Sequence, residues 1–432
     1  MNFIKKIFHW KIALLSNIIY GFPSKKMILI GVTGTKGKSS TCRFIASILE
    51  KAGYNVGLLS TVEIQINKER HLNNKKMTML GRGLIQKMLK KMVKSGCQYA
   101  VVETSSEGIL QYRHLGIDYD IVVFTNLGEE HSERHGGFEN LKKDKGKIFA
   151  NLKNKKNKII NGKKIDKIII VNADDVNHDY FFNFNADKKI KYGIKNNRAD
   201  IIGQIISSDE NGTNLRVGDN EFKILVPGNF NTYNALSAIA VAKSQSINEA
   251  RMAEGISSVK NIKGRMEKII GSQPFQVIVD YAHEPMSIQC LFESLKKFNN
   301  FNGKLIGVIG SDGGGRDKKK RHKIGYLSAK YCDYVVITDV NCYNEDPVLI
   351  AQMVASGVQD GGKIENKSFF IEIDRYKAIK KAFSLAGKGD MVVITAKGSE
   401  PFMAMAKGKK LPWNDSKISK ELLQKMGYLY DS

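Results

Sequence analysis

Seven consecutive residues carry the strongest chemical signal in the chain: Gly34-Thr35-Lys36-Gly37-Lys38-Ser39-Ser40, a mixture of glycines, lysines and hydroxyls. Small residues let backbone N–H groups close on phosphate oxygens at the start of a helix. In such a loop Lys38 neutralises the β- and γ-phosphates, and the Ser39 hydroxyl reaches Mg²⁺. A strict GxxxxGK[ST] pattern also asks for glycine at position 32, where this chain has Val32. Two further residues have the chemistry of hard-cation ligands, Glu103 after the run YAVV and His131 within EEHSERH at 129–135. Glu103 reads equally as a helix N-terminal acid, and His131 as a loop histidine.

Just before that loop, Met27 to Val32 (MILIGV) is a short apolar run of the kind buried in a parallel sheet. Thr41 to Ala52 follows as a helix with Phe44, Ile45, Ile48 and Leu49 inward. Strands at Tyr99–Val102, Ile121–Thr125 and Ile168–Val171 alternate with helical stretches, which predicts a doubly wound α/β domain with its ligands at the carboxyl ends of the strands. A second α/β unit is predicted from strands at Val277–Val279, Lys304–Ile309, Tyr334–Thr338 and Met391–Thr395. The expected division is a helix over 1–26, a central domain over 27–264 and a C-terminal domain over 265–432.

The motifs GVTGTKGKSST (31–41), ETSSEGILQYR (103–113), TNLGEEHSERHG (125–136), NADD (172–175), PGNFNTYNALSAIA (227–240), GRME (264–267), DYAHEP (280–285) and GGGRDKKKR (313–321) occur in the order found in the Mur ligases. The chain resembles that family from about residue 27 to 415, and within it the tripeptide-synthesising branch. The resemblance implies a P-loop central domain with a mostly parallel sheet, followed by a smaller Rossmann-like α/β domain. It also implies an activity: ATP-dependent addition of an amino acid to a UDP-MurNAc-L-Ala-D-Glu-like acceptor through an acyl phosphate, in peptidoglycan precursor synthesis.

Residue by residue, the resemblance makes Ser39, Glu103 and His131 ligands of Mg²⁺ and places a CO₂-modified (carbamylated) lysine at Lys145. A carbamate offers the metal an anionic oxygen where a bare ammonium would repel it. Asn234 matches the asparagine that meets adenine, with Asn231 beside it. Arg265 and Asp280 match nucleotide contacts of the C-terminal domain, with His283 in the same motif. Thr78, Ser105, Gln111 and Arg113 match the acceptor site, although Met79 stands where a second threonine is usual. Arg316 and Glu400 match contacts to the incoming amino acid.

The chain departs from the family pattern in two places. Only 26 residues precede the first strand, where the family carries a uridine-diphosphate-binding domain of nearly a hundred, so the UDP end of the acceptor has no evident seat. The DNPR motif of the diaminopimelate-adding members reads Val340-Asn341-Cys342-Tyr343. Losing the bidentate arginine contact costs about 1.5–3 kcal/mol, so diaminopimelate specificity does not follow from the family.

Composition sets the remaining bounds. The 432 residues hold 68 Lys+Arg against 43 Asp+Glu, a net charge of +25. The lysines are spread widely, as in RDKKKRHK at 316–323, with no aromatic-interleaved stripe, so they read as a solvated surface rather than a specific nucleic-acid site. Five scattered cysteines and no CxxC pair point to a reducing cytoplasm. Near the N-terminus Ile4, Ile7, Phe8, Ile12, Leu15 and Ile19 recur at helical spacing among Lys5, Lys6 and Lys11. That pattern is expected to pack on the domain behind it, with peripheral membrane contact through residues 1–20 as the alternative. A monomer is expected. Among rival readings, a folylpolyglutamate synthase-like ligase is disfavoured by DYAHEP and ETSSEGILQYR, and a MurT-like subunit by the lack of zinc-ribbon cysteines. A basic P-loop ATPase acting on nucleic acid is the rival outside the ligases.

Overall fold

The computed structural model describes residues 3–75, 77–128, 132–153, 156–298, 301–315 and 317–429. It forms two compact units, one comprising Met1–Ser207, Gly212–Leu225 and Asn229–Lys260, the other Ser208–Asn211, Val226–Gly228 and Asn261–Ser432.

The first unit is built on an eleven-stranded sheet. Its centre is parallel: Ile168–Asn172, Ile121–Phe124, Ile28–Thr33, Tyr99–Glu103 and Val56–Leu59 lie side by side in that order. These runs are apolar on both faces because helices cover both, so every residue from Ile121 to Phe124 and from Ile168 to Asn172 is buried. Register decides what meets at the carboxyl edge. Val32 pairs with Glu103 and Thr33 with Phe124, so the loop leaving Thr33, the Glu103 carboxylate and Thr125 all begin at one level.

The outer strands depart from the expected alternation. Glu63–Ile66 and Glu69–Leu72 on one side, and Gly212–Val217 and Asn220–Ile224 on the other, are antiparallel. Their polar sequences, such as ERHL at 69–72 with every residue exposed, suit sheet edges joined by tight turns rather than by helices.

A second correction concerns the N-terminal helix Phe3–Tyr20. It packs on helix Arg82–Lys94, but Phe8, Leu15 and Ile19 of the predicted inward stripe face solvent. The buried positions are Ala13, Ser16 and Asn17. Small side chains permit the close approach: the Asn17 amide fills the space a Cβ on Gly116 would take, with Nδ2 only 1.5 Å from that point.

The second unit has a six-stranded sheet in the order Glu267–Lys268, Gln276–Val279, Met391–Ile394, Leu305–Ile309, Tyr334–Ile337, Phe369–Ile371, parallel except for the first strand. Its core gathers Val277, Ile306, Val336, Val392, Phe383 and Leu423.

Candidate functional site

In the first unit the phosphate-type loop joins strand Ile28–Thr33 to helix Lys38–Lys51. Two glycines are required by space as well as by backbone angle. Gly34 (φ 151°) presses on Thr125, where a Cβ would stand 2.0 Å from Oγ1. Gly37 (φ 80°) presses on Asn234, where a Cβ would stand 2.2 Å from Oδ1. The far side is pinned by Asn126, whose Oδ1 accepts from Lys36 N at 2.9 Å, and by Thr125 Oγ1, which donates to Lys36 O at 2.7 Å. Lys38 Nζ folds back on the loop and donates to Gly34 O at 3.0 Å and Thr35 O at 2.8 Å. Ser40 is buried at the start of the helix.

Glu103 is buried at the end of its strand and accepts from the Ser39 hydroxyl at 2.9 Å. Thr61, which sequence reasoning did not single out, donates to the same carboxylate twice, from its N–H at 2.7 Å and its hydroxyl at 2.9 Å. The Thr61 hydroxyl lies 3.0 Å from the Thr78 hydroxyl, joining the P-loop to the predicted acceptor residue. A hydroxyl and a carboxylate side by side at a phosphate loop fit Mg²⁺, which takes few protein oxygens and completes its octahedron with phosphate and water. Among the described residues no three His, Cys, Asp or Glu side chains cluster as a self-sufficient metal cage. His131 lies outside the described residues.

Lys145 is buried, and its Nζ donates to Gly34 O at 2.9 Å, so a lysine from helix Phe138–Lys153 reaches the P-loop across 111 positions of sequence. His135 Nδ1 stands 2.6 Å from Asp144 in the body of that helix; burial pushes the Asp144 carboxyl up, but its bonds to His135 and Lys147 hold it below the usual range. Asn234 Nδ2 donates to Asn231 Oδ1 at 2.9 Å, and both asparagines are buried on helix Asn229–Ser244.

The predicted acceptor residues also converge. Ser105 caps helix Ser106–Leu110 by accepting from Gly108 N at 3.1 Å. Arg113 donates to Gln111 Oε1 at 2.6 Å and to the Met79 carbonyl. A second guanidinium, unforeseen from sequence, stands beside it: Arg82 donates to the Gln111 carbonyl. Burial lowers the pKa of both arginines, and the Arg113 charge lowers that of Arg82 further. Each keeps a buried Nε without a hydrogen-bond partner. Two crowded guanidiniums with donors to spare are suited to an anionic group. The signal in sequence was Arg82 opening a helix where an acidic residue is favoured.

In the second unit the Arg265 guanidinium lies over the Tyr281 ring, 4.4 Å from its centroid, and the His283 ring stands 4.5 Å from that of Tyr281. Asp280 accepts from Met266 N at 2.7 Å and Ala282 N at 2.8 Å, which fixes the turn carrying these side chains. Glu400 belongs to a different cluster, around Asn341. Asn341 Nδ2 donates to Asp312 at 2.8 Å and to Glu400 at 3.2 Å. Lys397, fully buried and missed from sequence, donates to Glu400 at 2.7 Å and to Asn341 Oδ1 at 3.1 Å. Tyr343 adopts φ 51° and its ring closes on Gly314, so the glycine-rich turn at 313–315 and the Val340–Tyr343 segment form one wall. Arg316 lies outside the described residues.

Residues 32–242 match the Mur ligase middle domain and residues 264–398 the Mur ligase glutamate ligase domain. The chain is 32% identical over 425 residues to the UDP-N-acetylmuramyl-tripeptide synthetase of a Roseiflexus species, covering 96% of this chain and 82% of that protein. It is 34% identical over 416 residues to the UDP-N-acetylmuramoyl-L-alanyl-D-glutamate–2,6-diaminopimelate ligase of Bacillus licheniformis, covering 95% and 82%. A solved structure of a ligase of that same description superposes with a TM-score of 0.62 at 26% identity, covering 93% of this chain and 79% of the other.

Proposed function

Because the chain belongs to the Mur ligase family, we propose that it joins an amino acid to the D-glutamyl carboxylate of a UDP-N-acetylmuramoyl-L-alanyl-D-glutamate-like acceptor at the expense of ATP. The observation that carries this reading is the Ser39–Glu103–Thr61–Thr78 chain, which runs within one unit from the phosphate loop to Thr78, whose neighbour Met79 accepts from Arg113 through its carbonyl. A carboxylate oxygen of the acceptor attacks the γ-phosphorus and ADP leaves. The amine of the amino acid then attacks the acyl carbon, phosphate leaves, and the nitrogen gives up a proton. Both reactants of the first step are anionic, so the work of the site is charge neutralisation and alignment.

Lys38 and the loop N–H groups hold the phosphates in this reading, and Arg113 with Arg82 holds the acceptor. Mg²⁺, held by Ser39, Glu103 and His131, would offset the charge of the γ-phosphoryl group. Lys145 contributes there as its carbamate. Asn231 and Asn234 face the base, and Arg265, Asp280 and His283 bind nucleotide. Arg316, Glu400 and the Lys397–Asn341 cluster receive the amino acid. The consumption of ATP assigns the reaction to the cytoplasm, and the monomer is the working form.

A panel assay tests the reading. Purified protein with Mg²⁺, ATP, UDP-N-acetylmuramoyl-L-alanyl-D-glutamate and single amino acids should release phosphate only when acceptor and amino acid are both present. Phosphate release indifferent to the acceptor refutes it. Tyr343 in place of the family's arginine points to lysine-like diamines over diaminopimelate, and Tyr343→Arg should raise kcat/KM for diaminopimelate roughly 10- to 100-fold.

A further inference from the structure

The N-terminal helix is docked with its sides reversed. Ala13, Ser16 and Asn17 face the protein, whereas Phe8, Trp10, Leu14, Leu15, Ile18 and Ile19 are exposed, Leu15 at 58% and Ile18 at 57%. The seat gains little from apolar burial. Asn17 Oδ1 has no hydrogen-bond partner there, and on the supporting helix Arg82–Lys94 neither amide atom of the buried Gln86 has one. Leaving six large apolar side chains in water is costly, since burial is worth about 25 cal/mol per Å². Contiguous exposed apolar surface of this kind marks a contact with something else.

Charge says what that is. No Asp or Glu occurs in residues 1–49 or in residues 70–102, two stretches that hold eight Lys or Arg each. Lys11 on the N-terminal helix, Lys25 and Lys26 just after it, and Lys87, Lys91 and Lys94 on the supporting helix are exposed. A second copy of the chain would bring the same cations to the contact, which Coulomb repulsion opposes. A surface that is apolar within and anionic at its boundary satisfies both features, and no helix of the described chain is long and apolar enough to cross a membrane. We propose that the N-terminal helix lies in the headgroup region of an anionic lipid surface and holds the protein there as a peripheral membrane protein. The idea is independent of the ligase reading.

The test floats the full chain with phosphatidylcholine vesicles lacking or containing about 30% phosphatidylglycerol. The protein should rise with the anionic vesicles only, and be released by about 0.5 M NaCl as charges are screened. The double variant Leu15→Asp/Ile18→Asp, altered at exposed positions, should melt at the wild-type temperature and bind vesicles about tenfold less or weaker still. Tryptophan emission should shift to the blue on anionic vesicles and fail to shift in Trp10→Phe. Absence of flotation overturns the proposal. So does equal flotation of the double variant, which would assign binding to scattered lysines. A wild-type dimer that the double variant dissociates, without vesicle binding, would assign the face to a second copy and also overturn it.

Discussion

At the scale of single residues, the site depends on side chains placed by distant sequence. Lys145 makes the point: among four lysines within 142–147, only its reach to Gly34 O at 2.9 Å distinguishes it. If its carbamate supplies an anionic oxygen to the metal, Lys145→Ala should lose at least about a hundredfold in kcat. Added bicarbonate or a short carboxylate should restore part of it, as read by phosphate release. Full activity of the variant would remove the carbamate from the mechanism. The same scale shows what sequence reasoning could see. Gly37 and Lys38 announced themselves because phosphate chemistry restricts both backbone and side chain at adjacent positions. Thr61, Arg82 and Lys397 did not, because a threonine, an arginine or a lysine is common anywhere, and only the fold gives Thr61 two bonds to Glu103.

At the scale of elements, strand interiors were legible and edges were not. An apolar run such as IVVF at 121–124 is buried on both faces and has one reading. Strand ERHL at 69–72 is exposed throughout and is held by strand pairing and the Arg70–Glu50 ion pair rather than by apolar burial, so its sequence carries no hydrophobic period. Elements are also tied by buried charge. Arg375, opening helix Arg375–Leu385, meets Asp415 of helix Asp415–Lys425 through two bonds of 2.9 and 2.8 Å, both side chains fully buried. Removing one partner strands the other charge, so Arg375→Met should cost about 3–5 kcal/mol in urea unfolding of the second unit. The paired change Arg375→Met/Asp415→Leu should recover much of that loss.

At the scale of the whole molecule, the charge of +25 is mostly a surface property, but several basic side chains are buried, and among them Lys158 titrates in a useful range. Burial pushes the Lys158 ammonium down to about 8, although Asp120 opposes the shift. That ammonium donates to Met27 O at 3.0 Å and Asp118 O at 2.6 Å, so it ties together the starts of two central strands. In the unfolded chain a lysine keeps its proton to about pH 10.4. Between about pH 8 and 10 the unfolded state therefore binds more protons, and stability should rise with pH across that window and be flat in this term below it. Urea midpoints at pH 7.5 and 9.5 check this, and Lys158→Met should abolish the rise. The two arms of the membrane proposal belong to this scale too, since the cations beside the exposed helix come from separate stretches of chain.

The sequence by itself determined the phosphate loop, the parallel core of both units and the family, because each rests on local constraint: a glycine forced by space, an apolar run forced by double burial, a motif order retained along the chain. It also determined that the first 26 residues hold a helix with an apolar stripe, which the structure bounds at Phe3–Tyr20. Only the tertiary structure decided which way that stripe faces. Helical periodicity specifies a face but not its partner: the small and polar Ala13, Ser16 and Asn17 approach the domain closely, Asn17 against Gly116, and the apolar stripe is left outside.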